Sequence, residues 1–223
     1  MYNRDEKMEL KNLKINVLGD SITEGIGSCG IENSYPSVIH NLTGALVRNY
    51  GLNGSRIAKY PEIEDWRDFN SRALTMESDA DVVIVFGGTN DFGHGSYEKF
   101  GTSDSRDKKT FLGALRVLFE TLNEKYPAAF IMFMTPLHRI TENETVNEHG
   151  KPKPVLEEYS KAAKSLAEAL DIHVLDMRKL CPFTPMNKDD VEKYIPDGLH
   201  PSAEGSAILA EIIVDYLEKN ISE

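Results

Sequence analysis

Short, largely apolar segments recur along this chain, and each is followed by a polar or glycine-rich turn. They are too short to form helices, and several are rich in β-branched residues, which favours strands. Because their apolar positions are nearly continuous rather than alternating, we expect strands covered on both faces, as in a parallel sheet. The predicted strands are Ile15–Leu18, Leu46–Tyr50, Val82–Phe86, Phe130–Met134 and Ile172–Leu175.

Helical patterns separate these segments, and Ser202 is placed to be the N-cap of the last one. The alternation of strands and helices predicts a three-layer α/β domain with a central parallel sheet of about five strands. Right-handed crossovers then place helices on both faces of the sheet, and ligands bind beyond the carboxyl ends of the strands. The predicted helices are Tyr35–Leu42, Asp65–Met76, Lys108–Lys125, Leu156–Leu170 and Ala203–Leu217.

Length and charge narrow the functional classes. A chain of 223 residues with 40% hydrophobic and 27% charged residues predicts one globular domain, spanning residues 1–223. The formal net charge of −11 disfavours binding to nucleic acid or to an anionic membrane surface. No run of about 18 apolar residues is present, so we predict no transmembrane helix.

The cysteines and the N-terminal segment bear on the cellular compartment. Cys29 and Cys181 form neither a disulfide framework nor a metal-ligand spacing, and we interpret both as ordinary small side chains. Residues 1–14 are polar and charged and lack the apolar segment and cleavage site of a signal peptide. We therefore expect a cytoplasmic protein.

Polar groups follow the predicted strands at the edge where a ligand is expected. They occur in Gly19–Gly25, Gly51–Ser55 and Gly87–Asp91, and a fourth motif, Asp197–Pro201, lies near the C-terminus. Taken singly each is weak, because a serine after a strand is usually a helix cap and an Asn-Gly pair is usually a turn. Together they contain every group that acyl transfer requires.

The groups divide into a catalytic triad and an oxyanion hole. Ser21 is the candidate nucleophile and His200 the base, and Asp197 can orient the imidazole of His200. The backbone N–H of Ser21, an unshielded backbone N–H of Gly54 and the side-chain amide of Asn90 are candidate donors to an oxyanion.

With these motifs the chain resembles the SGNH hydrolase (GDSL-like) family. The four blocks read GDSITEG, NYGLNGS, GGTND and DGLHPSAEG, in the family's order, and the resemblance extends from residue 13 to the end. It implies a flavodoxin-like α/β/α fold, oxyanion donors at Ser21, Gly54 and Asn90, and ester hydrolysis without a metal or other cofactor. The family often has serine where Asn53 stands, a departure that leaves the N–H of Gly54 in place.

Further residues at the strand ends are candidates for shaping the pocket. We expect Asp20 to organise the first turn, and Asp91 to hydrogen-bond neighbouring backbone rather than to react. Two long polar connections, Phe92–Asp107 and His138–Pro154, could shape the mouth of the site. The possible substrate-binding residues are Asp20, His94, His138 and Arg139.

Several alternatives share parts of this pattern. The DSITEG turn superficially resembles the phosphate loop of an FMN-binding electron carrier, and Gly-Asp, Gly-x-Asn-Asp and a late histidine suggest a metal-dependent phosphoesterase. A catalytically silent glycan-binding module is a third alternative. Among enzymes we favour an esterase acting on short acyl groups of a small-molecule or glycan ester, and a thioesterase or lysophospholipase is the alternative. The oligomeric state stays open.

Overall fold

A central sheet of five parallel strands organises the protein, in the order β2-β1-β3-β4-β5. The structure is a computed structural model and describes residues 9–28, 30–60 and 66–221. Each strand falls within one residue of a predicted segment, and helices cover both faces, so the predicted three-layer α/β/α fold is confirmed. The strands are β1 (Lys14–Gly19), β2 (Leu46–Gly51), β3 (Val82–Phe86), β4 (Phe130–Met134) and β5 (His173–Leu175).

The order of the strands reverses at β1, which pairs with β2 on one side and β3 on the other. In open α/β sheets such a reversal opens a crevice at the carboxyl end of the sheet, because the following connections leave toward opposite faces. The chain leaves β1 at Gly19, opposite Gly51 of β2 and Phe86 of β3. The motif that contains Ser21 therefore begins at this crevice.

The helices that cover the sheet agree with the predicted patterns to within a few residues. Ser202 caps the last helix, since its hydroxyl accepts the N–H of Gly205 at 3.1 Å. The helix predicted over Lys108–Lys125 begins three residues later, because residues 107–110 form a turn. The helices are α1 (Ser21–Glu24), α2 (Tyr35–Thr43), α3 (Phe69–Thr75), α4 (Thr89–Gly93), α5 (Tyr97–Phe100), α6 (Phe111–Lys125), α7 (Leu156–Ala169), α8 (Met177–Leu180), α9 (Lys188–Lys193) and α10 (Ala203–Asn220), with 3₁₀ turns at Leu10–Asn12 and Ile31–Asn33.

Two apolar cores lie on opposite faces of the sheet. Val83 and Val85 of β3 pack with α3, α6 and α7, whereas Val82 and Ile84 of the same strand pack with α2 and α10. Alternate residues of a strand point to opposite faces, so a continuous apolar segment can supply both cores. The expectation of strands covered on both faces is correct for β3 but wrong for the edge strand β2, whose residues are half-buried or exposed.

Some sequence predictions fall on residues outside the described ranges. They are those for residues 1–8 of the N-terminal segment, for Cys29, and for Asp65 at the start of a predicted helix. Cys181 is described and carries a free thiol. In the described ranges, no helix combines the length and apolar character needed to cross a membrane.

Candidate active site

Ser21 lies at the carboxyl end of β1 and is the first residue of α1. Asp20 caps this helix, since its carboxylate accepts the N–H of Ile22 at 3.1 Å. The side chain of Ser21 is largely buried, and its Oγ lies 2.9 Å from Nε2 of His200. The N-terminus of α1 thus places the hydroxyl and backbone N–H of Ser21 at the crevice.

A continuous hydrogen-bonded chain joins Ser21, His200 and Asp197. Nδ1 of His200 lies 2.6 Å from Oδ2 of Asp197, on the side of the ring opposite to Ser21. An ionised carboxylate can only accept, so Nδ1 donates its proton to Asp197. The lone pair of Nε2 then faces the hydroxyl of Ser21, which is the tautomer that a general base requires.

The backbone of the C-terminal motif holds Asp197 in its charged form. Oδ1 of Asp197 accepts the N–H of His200 at 2.7 Å and the N–H of Leu199 at 2.9 Å. Partial burial raises the pKa of Asp197, but the hydrogen bonds from His200 and Leu199 outweigh it and hold the pKa below its usual value. Asp197 is therefore ionised at neutral pH, and the exposure of 55% of its side chain to solvent also favours the charged form.

The two further oxyanion candidates lie on separate segments. Gly54 has a φ of +70°, is exposed, and has no heavy atom within 4 Å of the position that a Cβ would occupy. Nδ2 of Asn90 donates to the carbonyl of Ser55 at 3.0 Å. That bond fixes which end of the amide is the nitrogen and leaves its second N–H available for another acceptor.

Arg72 is a half-buried residue of this region that sequence analysis did not identify. Its guanidinium donates to the carbonyl of Gly19 at 3.0 Å, to the carbonyl of Tyr50, and to Oγ of Ser55 at 2.7 Å. Burial lowers the pKa of Arg72 to about 10, so it remains charged at neutral pH. Arg72 thus joins the ends of β1 and β2 to the segment that follows Gly54. The sequence offers no signal for it, because Arg72 lies in an ordinary helical pattern.

Asp20 lies beside the triad, but its carboxyl group is almost fully buried. Burial raises the pKa of Asp20 to about 6, while the hydrogen bond from Ile22 and the charge of His200 lower it. This environment agrees with the predicted role of organising the first turn. It leaves Asp20 little surface for direct contact with a ligand.

The other predicted substrate-binding residues have different surroundings. His94 is exposed and pairs with Glu148 at 2.7 Å. His138 bonds Glu142 at 2.8 Å and lines a separate open pocket of about 400 Å³ beside α7 and α8, beyond the ends of β4 and β5. Arg139 donates through Nη1 to the carbonyl of Thr89 at 3.1 Å, next to Asn90, and its neighbour Ile140 bonds the carbonyl of Gly198. Arg139 and its neighbour Ile140 thus contact both the helix that bears Asn90 and the motif that contains Asp197 and His200.

The two long polar connections pack on each other. The N–H of Tyr97 donates to the carbonyl of Pro152 at 3.1 Å, and Nδ2 of Asn147 donates to the carbonyl of Gly95 at 2.8 Å. Lys153 is buried, and its ammonium group donates to the carbonyl of Phe92 at the end of α4. The connections therefore form one surface that is anchored to the helix bearing Asn90.

Gly27 packs against His200, and its replacement provides a test of that contact. Its φ is +87°, and an added Cβ would lie 2.6 Å from Cβ of His200. We expect Gly27→Ala to lower kcat/KM for an ester about tenfold or more, because the new methyl group displaces the imidazole from Ser21.

Gly150→Ala is the matched control for this variant. Gly150 has a φ of +69°, and no heavy atom lies within 4 Å of the position of its Cβ. Both substitutions impose the strain of a left-handed backbone, about 1–2 kcal/mol, but only one crowds His200. Equal kcat/KM values for the two variants would show that Gly27 does not position the histidine.

A model of the GDSL-like lipase/acylhydrolase family matches residues 17–208. The chain belongs to this family. Membership places it among the ester-cleaving acylhydrolases and agrees with the resemblance found in its four sequence blocks. A solved crystal structure that is 31% identical superposes on this GDSL-like chain with a TM-score of 0.85, covering 95% of this chain and 99% of the other.

Two characterised relatives are similar to this GDSL-like protein at lower identity. An acetylxylan esterase from Xylanibacter ruminicola is 24% identical over 90% of this chain, which spans 42% of the length of that enzyme. A rhamnogalacturonan acetylesterase from Bacillus subtilis is 25% identical over 79% of this chain and 75% of its own length. Both relatives are named as acetylesterases of polysaccharides.

Proposed function

We propose that this protein is a serine esterase that removes short acyl groups, acetyl foremost, from a small-molecule or glycan ester. The observation that carries the proposal is the hydrogen-bonded chain Ser21–His200–Asp197, with distances of 2.9 and 2.6 Å. Such a chain supplies a nucleophile, a base in the correct tautomer and an ionised group that stabilises the imidazolium.

The proposed reaction proceeds through an acyl-enzyme. His200 takes the proton of Ser21 as Oγ attacks the ester carbonyl, and the protonated imidazole then gives that proton to the departing alcohol. Water repeats these steps on the acyl-enzyme and releases the carboxylic acid. The ionised Asp197 stabilises the imidazolium in both halves of the cycle.

The oxyanion of each tetrahedral intermediate is stabilised by fixed donors. They are the N–H groups of Ser21 and Gly54 and the second side-chain N–H of Asn90. Each donor of this kind is worth about 3 kcal/mol of the barrier.

Two observations support a short acyl group and a bulky alcohol. An open depression of about 560 Å³ is lined by the connection that follows α1, which includes Gly27, a neighbour of His200. Its walls include the exposed side chains of Ile26 and Ile31, and an open surface accommodates a large leaving group. The characterised relatives are both named as acetylesterases.

The hydrolysis of p-nitrophenyl acetate, butyrate and decanoate, measured with EDTA present, tests this proposal. We expect kcat/KM for decanoate to be no higher than for acetate, because an open surface offers a long acyl chain few contacts that would favour it. A preference for decanoate would support a lipolytic enzyme instead. A folded protein inactive on all three esters and on acetylated xylan oligosaccharides would support a silent glycan-binding module.

A further inference from the structure

Residues 54–58 present Gly54 to the crevice, yet they belong to no helix or strand. Donors to an oxyanion lower the barrier only if they are fixed before the reaction, since otherwise part of the gain is lost to reorganisation. The contacts that hold this segment therefore bear on catalysis as directly as the donors do.

The carboxylate of Asp91 accepts two backbone hydrogen bonds from this segment inside the protein. Its Oδ2 accepts the N–H of Ile57 at 3.0 Å, and its Oδ1 accepts the N–H of Ala58 at 2.9 Å. Asp91 is fully buried, and these partners lie 34 and 33 residues away in sequence. The expected bonding to backbone thus reaches a distant segment rather than neighbouring residues.

The residue before Asp91 holds the same segment at a second point. Asn90 donates to the carbonyl of Ser55, and both Asn90 and Asp91 lie in the first turn of α4. One turn of helix therefore fixes the amide of Asn90 relative to the segment that begins at Gly54. Arg72 supports the segment from another element through Oγ of Ser55.

We infer that Asp91 is a positioning residue of the oxyanion hole. Its carboxylate holds residues 54–58 in a fixed position relative to the side-chain amide of Asn90. The inference rests on the proposed esterase function, because it concerns the donors of that reaction. Asp91 contacts neither the substrate nor Ser21 in this role. It acts through the backbone N–H groups of Ile57 and Ala58.

The ionised carboxylate suits this task better than a neutral amide. Burial raises the pKa of Asp91 to about 6, whereas the hydrogen bonds from Ala58 and Ile57 lower it, so the group is predominantly charged at neutral pH. Charge-assisted hydrogen bonds are shorter and stronger than neutral ones. An asparagine offers one acceptor and one NH₂ group, so one of the two backbone N–H groups would face another donor.

The test compares Asp91→Asn and Asp91→Glu with the wild-type protein on p-nitrophenyl acetate. We expect Asp91→Asn to lower kcat about 10- to 100-fold with KM changed by less than about twofold, because the ground state makes little use of the displaced donors. The rate at which a fluorophosphonate labels Ser21 should fall in parallel. Asp91→Glu keeps a carboxylate and should lose less activity than Asp91→Asn. If Asp91→Asn does not fold, the kcat of Asp91→Glu relative to wild type is the test.

Asp81→Asn is the matched control. The carboxylate of Asp81 also accepts a backbone N–H from a distant segment, that of Lys14 at 2.8 Å, but at the start of β1, the end of the sheet opposite to Ser21. We expect a small decrease in melting temperature with kcat within about twofold of wild type. A folded Asp91→Asn protein with wild-type kcat, or an equal loss of kcat in Asp81→Asn, would overturn the inference.

Ser21→Ala is assayed in parallel to separate the two proposals. If Ser21→Ala is as active as wild type, the esterase mechanism itself is wrong, and the positioning role falls with it. If Ser21→Ala is inactive while Asp91→Asn keeps its kcat, the mechanism stands and only the role of Asp91 is wrong.

Discussion

Ser21→Ala is expected to lower kcat for p-nitrophenyl acetate about 10⁴-fold or more, because it removes the proposed nucleophile of the reaction. The variant should fold normally, since a methyl group fits where the hydroxyl lies. Its loss of stability should be about 1 kcal/mol, the usual contribution of one hydrogen bond. Steady-state hydrolysis and a thermal melt of the same preparation measure the two effects.

Ser160→Ala serves as the control for that substitution. Ser160 is also a buried serine, and its Oγ donates one hydrogen bond to the carbonyl of Leu156 at 3.1 Å, within α7. We expect kcat within about twofold of wild type, because this hydroxyl serves the helix alone. A Ser21→Ala protein that is as active as Ser160→Ala would show that another residue attacks the ester.

Asp197→Asn is expected to lower kcat about 10³- to 10⁴-fold with little change in KM. An asparagine can present its NH₂ group to Nδ1 of His200, and the imidazole would then carry its proton on Nε2. In that tautomer the ring cannot accept the proton of Ser21. The remaining activity should rise with pH if hydroxide takes over as the base.

Asp215→Asn tests whether loss of the charge of an exposed carboxylate is sufficient to explain this result. Asp215 pairs with Lys219 at 2.6 Å, the distance that separates Asp197 from His200, and both carboxylates are largely exposed. Exposed charged contacts contribute about 0–1 kcal/mol, so neither substitution should unfold the protein. We expect wild-type kcat from Asp215→Asn, and a similar kcat for both variants would contradict the role assigned to Asp197.

The sequence was sufficient to predict the layers of the fold because strand identity is a local property. A continuous apolar segment such as β3 indicates burial on both faces wherever it lies in the sheet. The exposure of β2 follows from the position of that strand at the edge, and the polar residues Arg48 and Asn49 in the strand are its signal in the sequence. Strand order depends on packing between distant segments, which apolar periodicity does not record.

The contacts of the candidate site also differ in how far they could be predicted from the sequence. Asp197 and His200 are three residues apart in one motif, so the sequence by itself implies the carboxylate–imidazole pair. The contacts of Gly27 with His200 and of Arg72 with Ser55 join segments that only the folded chain brings together. These contacts could not be predicted from the sequence, because glycine is common in turns and arginine is common in helices.

The measurement that tests the central claim most directly is the mass of the protein after reaction with a fluorophosphonate. Such a probe phosphonylates a serine activated by a neighbouring base and gives a stable analogue of the tetrahedral intermediate. The account predicts one adduct per chain, located on Ser21 by peptide mapping and absent from Ser21→Ala. An adduct on another residue, or ester hydrolysis by wild type without any adduct, would contradict it.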